Sequence, residues 1–165
     1  MKGEFAIREA TVADATVLAR HRVGMFRDMG DLPAEQEAPL FTAARRDLAD
    51  WLASGDYSAW VASPVGRPEE IVAGAGVQLR PLLPRPDPKR GRIREGREAI
   101  VLNVYTEPAY RRRGIARLLM EQVIAWVRAN GIARLVLHAS PDGRPLYEQL
   151  GFEATNEMRF MGELT

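Results

Sequence analysis

The sequence predicts a single α/β domain built on a mixed sheet. Three observations lead there. Two β-rich segments, YSAWVAS and IVAGAGVQL, flank the turn-rich PVGRPEE and read as an antiparallel hairpin with a long connection. Downstream, AIVLNVYT is followed by a tight turn, an amphipathic helix and then IARLVLHAS, so these two strands should lie parallel through a right-handed crossover. The 165 residues suit one core, with no repeat, low-complexity stretch or second domain, so residues 1–165 are expected to form one unit.

The elements follow in order. Alternating residues Phe5 to Glu9 form the first strand. Thr11 and Asp14 stand at capping-box spacing before the first helix, although the second position favours Glu or Gln. A second helix is expected from Pro33, suited to a first turn, to Leu52, with Leu40, Ala44, Leu48 and Leu52 along one face and SGD ending it. After the hairpin, RPLLPRPDPKRGRIREGRE has no usable period and reads as a loop, solvated or facing another subunit. The helix after AIVLNVYT carries Ile115, Leu118, Leu119, Val123, Trp126 and Val127 at helical spacing, and Gly131 suits a left-handed end. PDGRPLYEQLG is a short helix with Pro141 near its start and Gly151 at its end; FEATNEMRFMGEL is expected to supply one or two closing strands.

Composition narrows the function. Lys and Arg total 23 against 22 Asp and Glu, so the net charge of +1 gives no general attraction to nucleic acid or an anionic membrane. Without cysteine there are no disulfides, thiol nucleophiles or thiolate metal sites. His21 and His138 lack a second ligand at metal spacing, so no metal is expected. With neither a signal-like apolar start nor a membrane-length apolar run, a cytoplasmic location is expected.

The stretch YRRRGIARLL raises the chemical question. A helix N-terminus already has unpaired N–H groups and partial positive charge, so Arg111, Arg112 and Arg113 crowd it unfavourably unless an anion sits among them. Strand, turn and helix with small Gly114 and Ala116 suit a phosphate, yet neither GK[ST] nor G-x-G-x-x-G is present. Arg111-x-x-Gly114-x-Ala116 resembles the Q/R-x-x-G-x-G/A signature of the GNAT superfamily of N-acetyltransferases. About thirty residues later PLYEQLGF resembles the family's L-Y-x-x-x-G-F, and FAIREATVADATVL resembles its usual opening. Arg112 stands where glycine is frequent, Ser140 where many members have asparagine, and Gly143 where they have alanine.

The resemblance implies a mostly antiparallel mixed sheet with helices on both faces, whose fourth and fifth strands splay. It implies acetyl-coenzyme A as co-substrate, with its pyrophosphate on Arg111, Arg112, Arg113, Gly114, Ile115, Ala116 and Arg117, chiefly their backbone. Its pantetheine would lie along Val104, Tyr105 and Thr106, with Ser140 as a shorter substitute for the asparagine contact. A backbone N–H near Val104 would polarise the thioester carbonyl. Tyr147 is the candidate acid for the departing thiol; Glu98 and Glu107 are candidate bases, as is a water held by Asn103. A lysine acceptor costs roughly 4 to 5 kcal/mol to deprotonate at pH 7 and an α-amine about 1, so the need for a base depends on the acceptor. On the first helix His21, Arg22 and Phe26 could line the acceptor pocket, while Met25, Phe26 and Met29 could equally be core. His138 could assist proton transfer or pack at its strand end. The acceptor is a small-molecule or peptide amine, and the family makes a homodimer possible. Two rival readings are a non-catalytic acyl-coenzyme A sensor and a nucleic-acid-binding protein using the arginine-rich segments.

Overall fold

The computed structural model describes residues 3–164, so the chain's outermost residues lie outside the described part of the expected 1–165 domain. The described residues form seven strands: β1 (Phe5–Glu9), β2 (Tyr57–Pro64), β3 (Ala73–Pro81), β4 (Arg85–Asp87), β5 (Arg92–Arg94), β6 (Arg97–Thr106) and β7 (Arg134–Val136). Five of them make the central sheet in the order β1-β2-β3-β6-β7; only β6 and β7 run parallel. The helices are α1 (Ala15–Met29), α2 (Glu37–Ser54), α3 (Ile115–Ala129) and α4 (Arg144–Gln149).

Strand β2 shows how both faces are covered. Tyr57, Ala59 and Val61 pack with Leu18, Ala19, Ala44 and Leu48 of α1 and α2, whereas Trp60 and Ala62 pack with Leu119 and Val123 of α3. The two-residue period of a strand sorts one apolar run into two cores. Helix α3 buries Ile115, Leu119, Met120, Val123 and Val127, a contribution on the order of 10 kcal/mol before chain entropy is charged. Before α1, the Thr11 N–H donates to Asp14 Oδ2 at 2.8 Å, and Arg8 grips the same carboxylate through two bonds of 2.8 Å. The aspartate therefore serves the cap, after a 3-10 turn at Val12–Asp14.

Several expectations are corrected. Helix α2 starts at Glu37 after a 3-10 turn at Ala34–Gln36, and it continues past Leu52 to Ser54. Pro145, not Pro141, occupies the first turn of α4. The stretch 80–98 contains the β4–β5 ladder, pairing Arg85 with Arg94 and Asp87 with Arg92; a bond of 2.9 Å from Arg94 to Asp87 closes it. Three residues per strand are too few to leave a period in sequence. Among the described residues, 152–164 form no strand, and Met158, Phe160, Met161 and Leu164 are exposed. Strand β7, the neighbouring sheet edge, offers only three residues to pair with.

Candidate active site

Strand β7 pairs with β6 only at Glu98↔Arg134, Ala99↔Leu135 and Ile100↔Val136. Beyond Ile100, β6 continues to Thr106 with β3 on its other edge. Register passes from Gly76↔Leu102 to Gly74↔Tyr105, so Ala75 faces two residues, Asn103 and Val104. Asn103 takes a φ of 62°, and its Nδ2 donates to Leu18 O of α1 at 2.9 Å. Such a bulge bends its strand, and it lies just beyond Ile100, the last β6 residue paired with β7. A wedge opens in which the Val101 to Thr106 edge has no β7 partner. Backbone groups left by diverging strands are satisfied by an extended amide chain laid alongside.

The strand leads into the arginine loop. Glu107 N–H donates to Val72 O at 2.8 Å, a 3-10 turn spans Pro108–Tyr110, and Gly114 caps α3 with a φ of 78°. Nothing lies within 4 Å of where a Cβ on Gly114 would be, so glycine is needed there for its backbone angle. Arg112 also has a positive φ, 60°, at a cost of about 1 kcal/mol or more for a residue with a side chain. The remaining arginines are largely answered within the protein. Arg111 Nε donates to Thr106 O at 2.9 Å, its guanidinium pairs with Asp28, and it stacks 5.5 Å from the Tyr105 ring centroid. Arg113 bonds Glu4 at 3.2 Å and lies over Phe5 and Tyr110. Arg117 donates to the Gln149 side chain of α4. The expected uncompensated crowding is thus corrected: two acids brought from far along the chain neutralise most of it. Arg112 has no ion-pair partner among the described residues, and it sits beside the free N–H groups of the first α3 turn.

Tyr147 lies on α4 against the α3-side core that also receives Val104. Gly151, with a φ of 94°, reverses the chain so that Phe152 N–H reaches Tyr147 O at 3.0 Å and the two rings meet edge to face at 6.0 Å. Burial pushes the Tyr147 hydroxyl pKa up, keeping it protonated at neutral pH. Ser140 is spent locally: its Oγ accepts Gly143 N–H at 3.2 Å, and its carbonyl accepts the N–H groups of Gly143 and Arg144.

Other sequence-predicted residues separate. Glu98 is 2% exposed, at the far end of β6 from the loop, between Arg80 of β3 and Arg134 of β7. Burial pushes its pKa up, but the hydrogen bonds from Arg134 and Arg80 outweigh this and hold it below the usual carboxylate range. It lies roughly 25 Å of strand from Thr106, so the structure makes Glu98 an ion-pair residue and not part of the wedge. Glu107 does stand at the open end of β6. His21 is fully buried rather than on a helix surface, so direct acceptor contact is corrected for it. Its Nε2 lies 3.8 Å from Glu107 Oε1, and its ring packs on Tyr105 at 5.2 Å. Arg22 covers Phe26 at 5.0 Å. Phe26 lines a groove of about 490 Å³ with Asp31, Leu32, Gln36, Pro39 and Leu40, where α1 meets the start of α2. His138 is exposed and bonds Glu157 of the tail at 2.7 Å, so it is not packed at a strand end.

Sequence reasoning missed the groove, the bulge and the seating of Tyr105. Only Gly24 hinted at the last: a Cβ there would lie 2.6 Å from the Tyr105 hydroxyl. Among the described residues, no helix is long and apolar enough to cross a membrane, and no group of three His, Cys, Asp or Glu could hold a metal ion.

Comparison with known proteins places this geometry. The sequence model described as the acetyltransferase (GNAT) family matches residues 26–152. A crystal structure of a GCN5-related N-acetyltransferase from Ralstonia eutropha is 33% identical, superposes with a TM-score of 0.80, and is matched over 94% of this chain and 97% of that one. A predicted acetyltransferase from Clostridium acetobutylicum, solved with acetyl-coenzyme A, is 26% identical with a TM-score of 0.77, covering 96% of each chain. Among curated proteins, glucosamine 6-phosphate N-acetyltransferase of Trypanosoma brucei brucei is 30% identical over 55% of this chain and 54% of its own length. A chloroplastic serotonin N-acetyltransferase 2 of Oryza sativa is 27% identical over 73% of this chain and 49% of its own. The chain therefore spans about half the length of the curated relatives it matches.

Proposed function

The chain belongs to the GNAT acetyltransferase family, and from that premise we propose that it transfers an acetyl group from acetyl-coenzyme A to a primary amine. The observation that carries the reading is the combination of three features: an unpaired β6 edge, a left-handed Gly114 that bares the first turn of α3, and Tyr147 packed against the core cluster that also takes in Val104 and Ile115.

The residues present fit the co-substrate. Backbone N–H groups from Arg113 to Arg117, with Arg112 and Arg117 as cations without an acidic partner among the described residues, suit a pyrophosphate, and no Cβ at Gly114 hinders its approach. The β6 edge at Val104, Tyr105 and Thr106 suits the pantetheine amides. Ser140 is already engaged in its own turn, so the backbone carries that part of the site. Acetyl-coenzyme A, when bound, supplies the acetyl group as a thioester and departs as a thiol. Tyr147 holds its phenolic proton for the sulfur, since burial keeps the hydroxyl protonated. Glu107, half-exposed at the end of β6, takes the proton that an ammonium acceptor must lose. Phe26 and the α1–α2 groove receive the acceptor's body, with Arg22 stacked beside Phe26. The two curated relatives are named for glucosamine 6-phosphate and serotonin, which share an amine and little else; the reading therefore extends to that group alone.

Calorimetric titration with acetyl-coenzyme A, desulfo-coenzyme A and adenine nucleotide tests this. Micromolar binding that needs both pyrophosphate and pantetheine is expected, followed by thiol release in a screen of amines. Tyr147→Phe should keep the affinity and lose about a hundredfold or more in turnover. No binding at millimolar acetyl-coenzyme A overturns the reading, and unchanged turnover in Tyr147→Phe removes that residue from the chemistry.

A further inference from the structure

His21 is the side chain that the fold treats least economically. It is fully buried in the seam between α1 and the sheet, and neither ring nitrogen has a hydrogen-bond partner among the described residues. A buried imidazole left so lowers stability, a loss that an apolar residue of similar size would avoid. The seam has a second orphan: Asn103 Oδ1 is buried without a partner, although Asn103 Nδ2 is anchored to Leu18 O, one helical turn before His21.

The surroundings restrict what His21 can do. On the β3 side, a Cβ at Gly74 would lie 3.2 Å from Nδ1, so glycine makes room for the ring. On the β6 side the Tyr105 ring lies against it at 5.2 Å, tilted by 34°. The remaining nitrogen, Nε2, faces Glu107 Oε1 at 3.8 Å. That gap is too long for a hydrogen bond, yet Glu107 is half-exposed, and a rotation of about 1 Å at its carboxylate closes it. The charged and titratable groups about the pair are Arg20 and Asp28 from α1, Tyr105 from β6 and Arg111 from the loop; Gly74 of β3 brings none.

Two roles compete. As a proton acceptor His21 would be poor, because burial first, and then the charge of Arg20, lower its pKa to about 4. Roughly one molecule in a thousand would be protonated at pH 7. As a neutral donor it is well placed, since a neutral imidazole has one N–H to give and a hydrogen bond to a carboxylate favours its ionised form.

We propose that His21 is a positioning residue whose Nε2–H, donated to Glu107 Oε1, holds the Glu107 carboxylate in place at the open end of β6. The part assigned to Glu107 rests on the acyl-transfer reading above; the pairing of the two side chains does not. No bond is made or broken at His21. The ammonium proton passes to Glu107 and from there to solvent, while the imidazole keeps its own.

The test uses the full chain and begins without an acceptor. Side-chain NMR of the wild-type protein should show His21 neutral down to about pH 5, with its proton on Nε2. The Glu107 carboxyl titration is then followed in wild type, His21→Phe and His21→Gln. Loss of the donor should move the Glu107 midpoint up in a folded His21→Phe relative to wild type, and glutamine, which offers an N–H at a similar reach, should reverse most of that difference. With an amine found by the thiol-release screen, the acid limb of kcat/KM should move by the same amount and in the same order. An Nδ1–H tautomer, or a Glu107 midpoint that is the same in wild type and a folded His21→Phe, overturns the proposal. So does an acid limb that ignores the Glu107 shift. Failure of acetyl-coenzyme A to bind in calorimetry would instead overturn the acyl-transfer reading, leaving the NMR result to judge the pair. Should His21→Phe not fold, the wild-type tautomer and His21→Gln decide the matter.

Discussion

Replacing Glu98 with glutamine isolates a buried charge from its shape. The carboxylate is 2% exposed and joins three strands, because Arg80 faces it across β3–β6 and Arg134 across β6–β7. It also fastens β7, which has only three residues of ladder to hold it. Removing one partner of a fully buried pair costs about 3 to 5 kcal/mol, whereas an exposed pair is worth about 0 to 1. Here the arginine side chains remain 53% and 34% exposed, so they recover part of their hydration when the charge goes. We expect a loss of about 2 kcal/mol at pH 7, or a fall in Tm of about 4 to 8 °C. Circular dichroism melts from pH 7 to pH 3 check both size and origin. The folded-state pKa of Glu98 is lowered, so its contribution is fully present above the unfolded value near ~4.3 and disappears as pH falls through the folded value. The gap between wild type and Glu98→Gln should therefore be widest near neutrality and close below about pH 4. A gap under about 1 °C at pH 7, or one that persists unchanged at pH 3, would refute the ion-pair reasoning. Acetyl-coenzyme A affinity should be unaffected. Turnover abolished at full stability would instead return Glu98 to the role of base.

Two further substitutions probe other sites. Gly114→Ala forces a side chain into a φ of 78° and should cost about 1 to 2 kcal/mol, while Gly114→Glu adds an anion to the same strained site. Calorimetry should show acetyl-coenzyme A affinity falling at least about tenfold further for glutamate than for alanine; equal affinities would detach the loop from phosphate. Tyr57 is 2% exposed, its hydroxyl has no partner among the described residues, and burial drives its pKa up. Tyr57→Phe should thus raise Tm by about 2 to 4 °C in thermal melts, and a fall of that size would mean the hydroxyl is satisfied after all.

Local chemistry made much of the fold legible. The hairpin, the crossover and α3 were announced by turn residues and by apolar spacing, and these act over a few residues. Gly131 and Gly151 belong with them, because a left-handed backbone angle is a property of one residue, and PLYEQLGF folds onto itself through Gly151. The β4–β5 ladder and the tail were misread for the opposite reason. Whether an extended segment becomes a strand depends on the edge that lies beside it, and no period records that edge.

The wedge shows the same division. Its lip and loop lie within one continuous stretch, from Val101 to Arg117, and could be read as strand, turn and helix. The charges could not. Arg111 finds Asp28 and Arg113 finds Glu4, partners 83 and 109 residues away, so two of the cations that crowd one another in sequence are paired in space. Glu98 and Glu107 are equivalent as letters at the two ends of one strand, yet one is clamped by two arginines and the other stands beside a buried neutral imidazole. By itself the sequence determined the order of the main strands and helices and the strand, turn and helix that carry the arginine loop, since each is settled by neighbours along the chain. Only the tertiary structure decided which ionisable groups face water, which face one another and where β6 leaves β7, because burial and Coulomb interaction depend on distance through space.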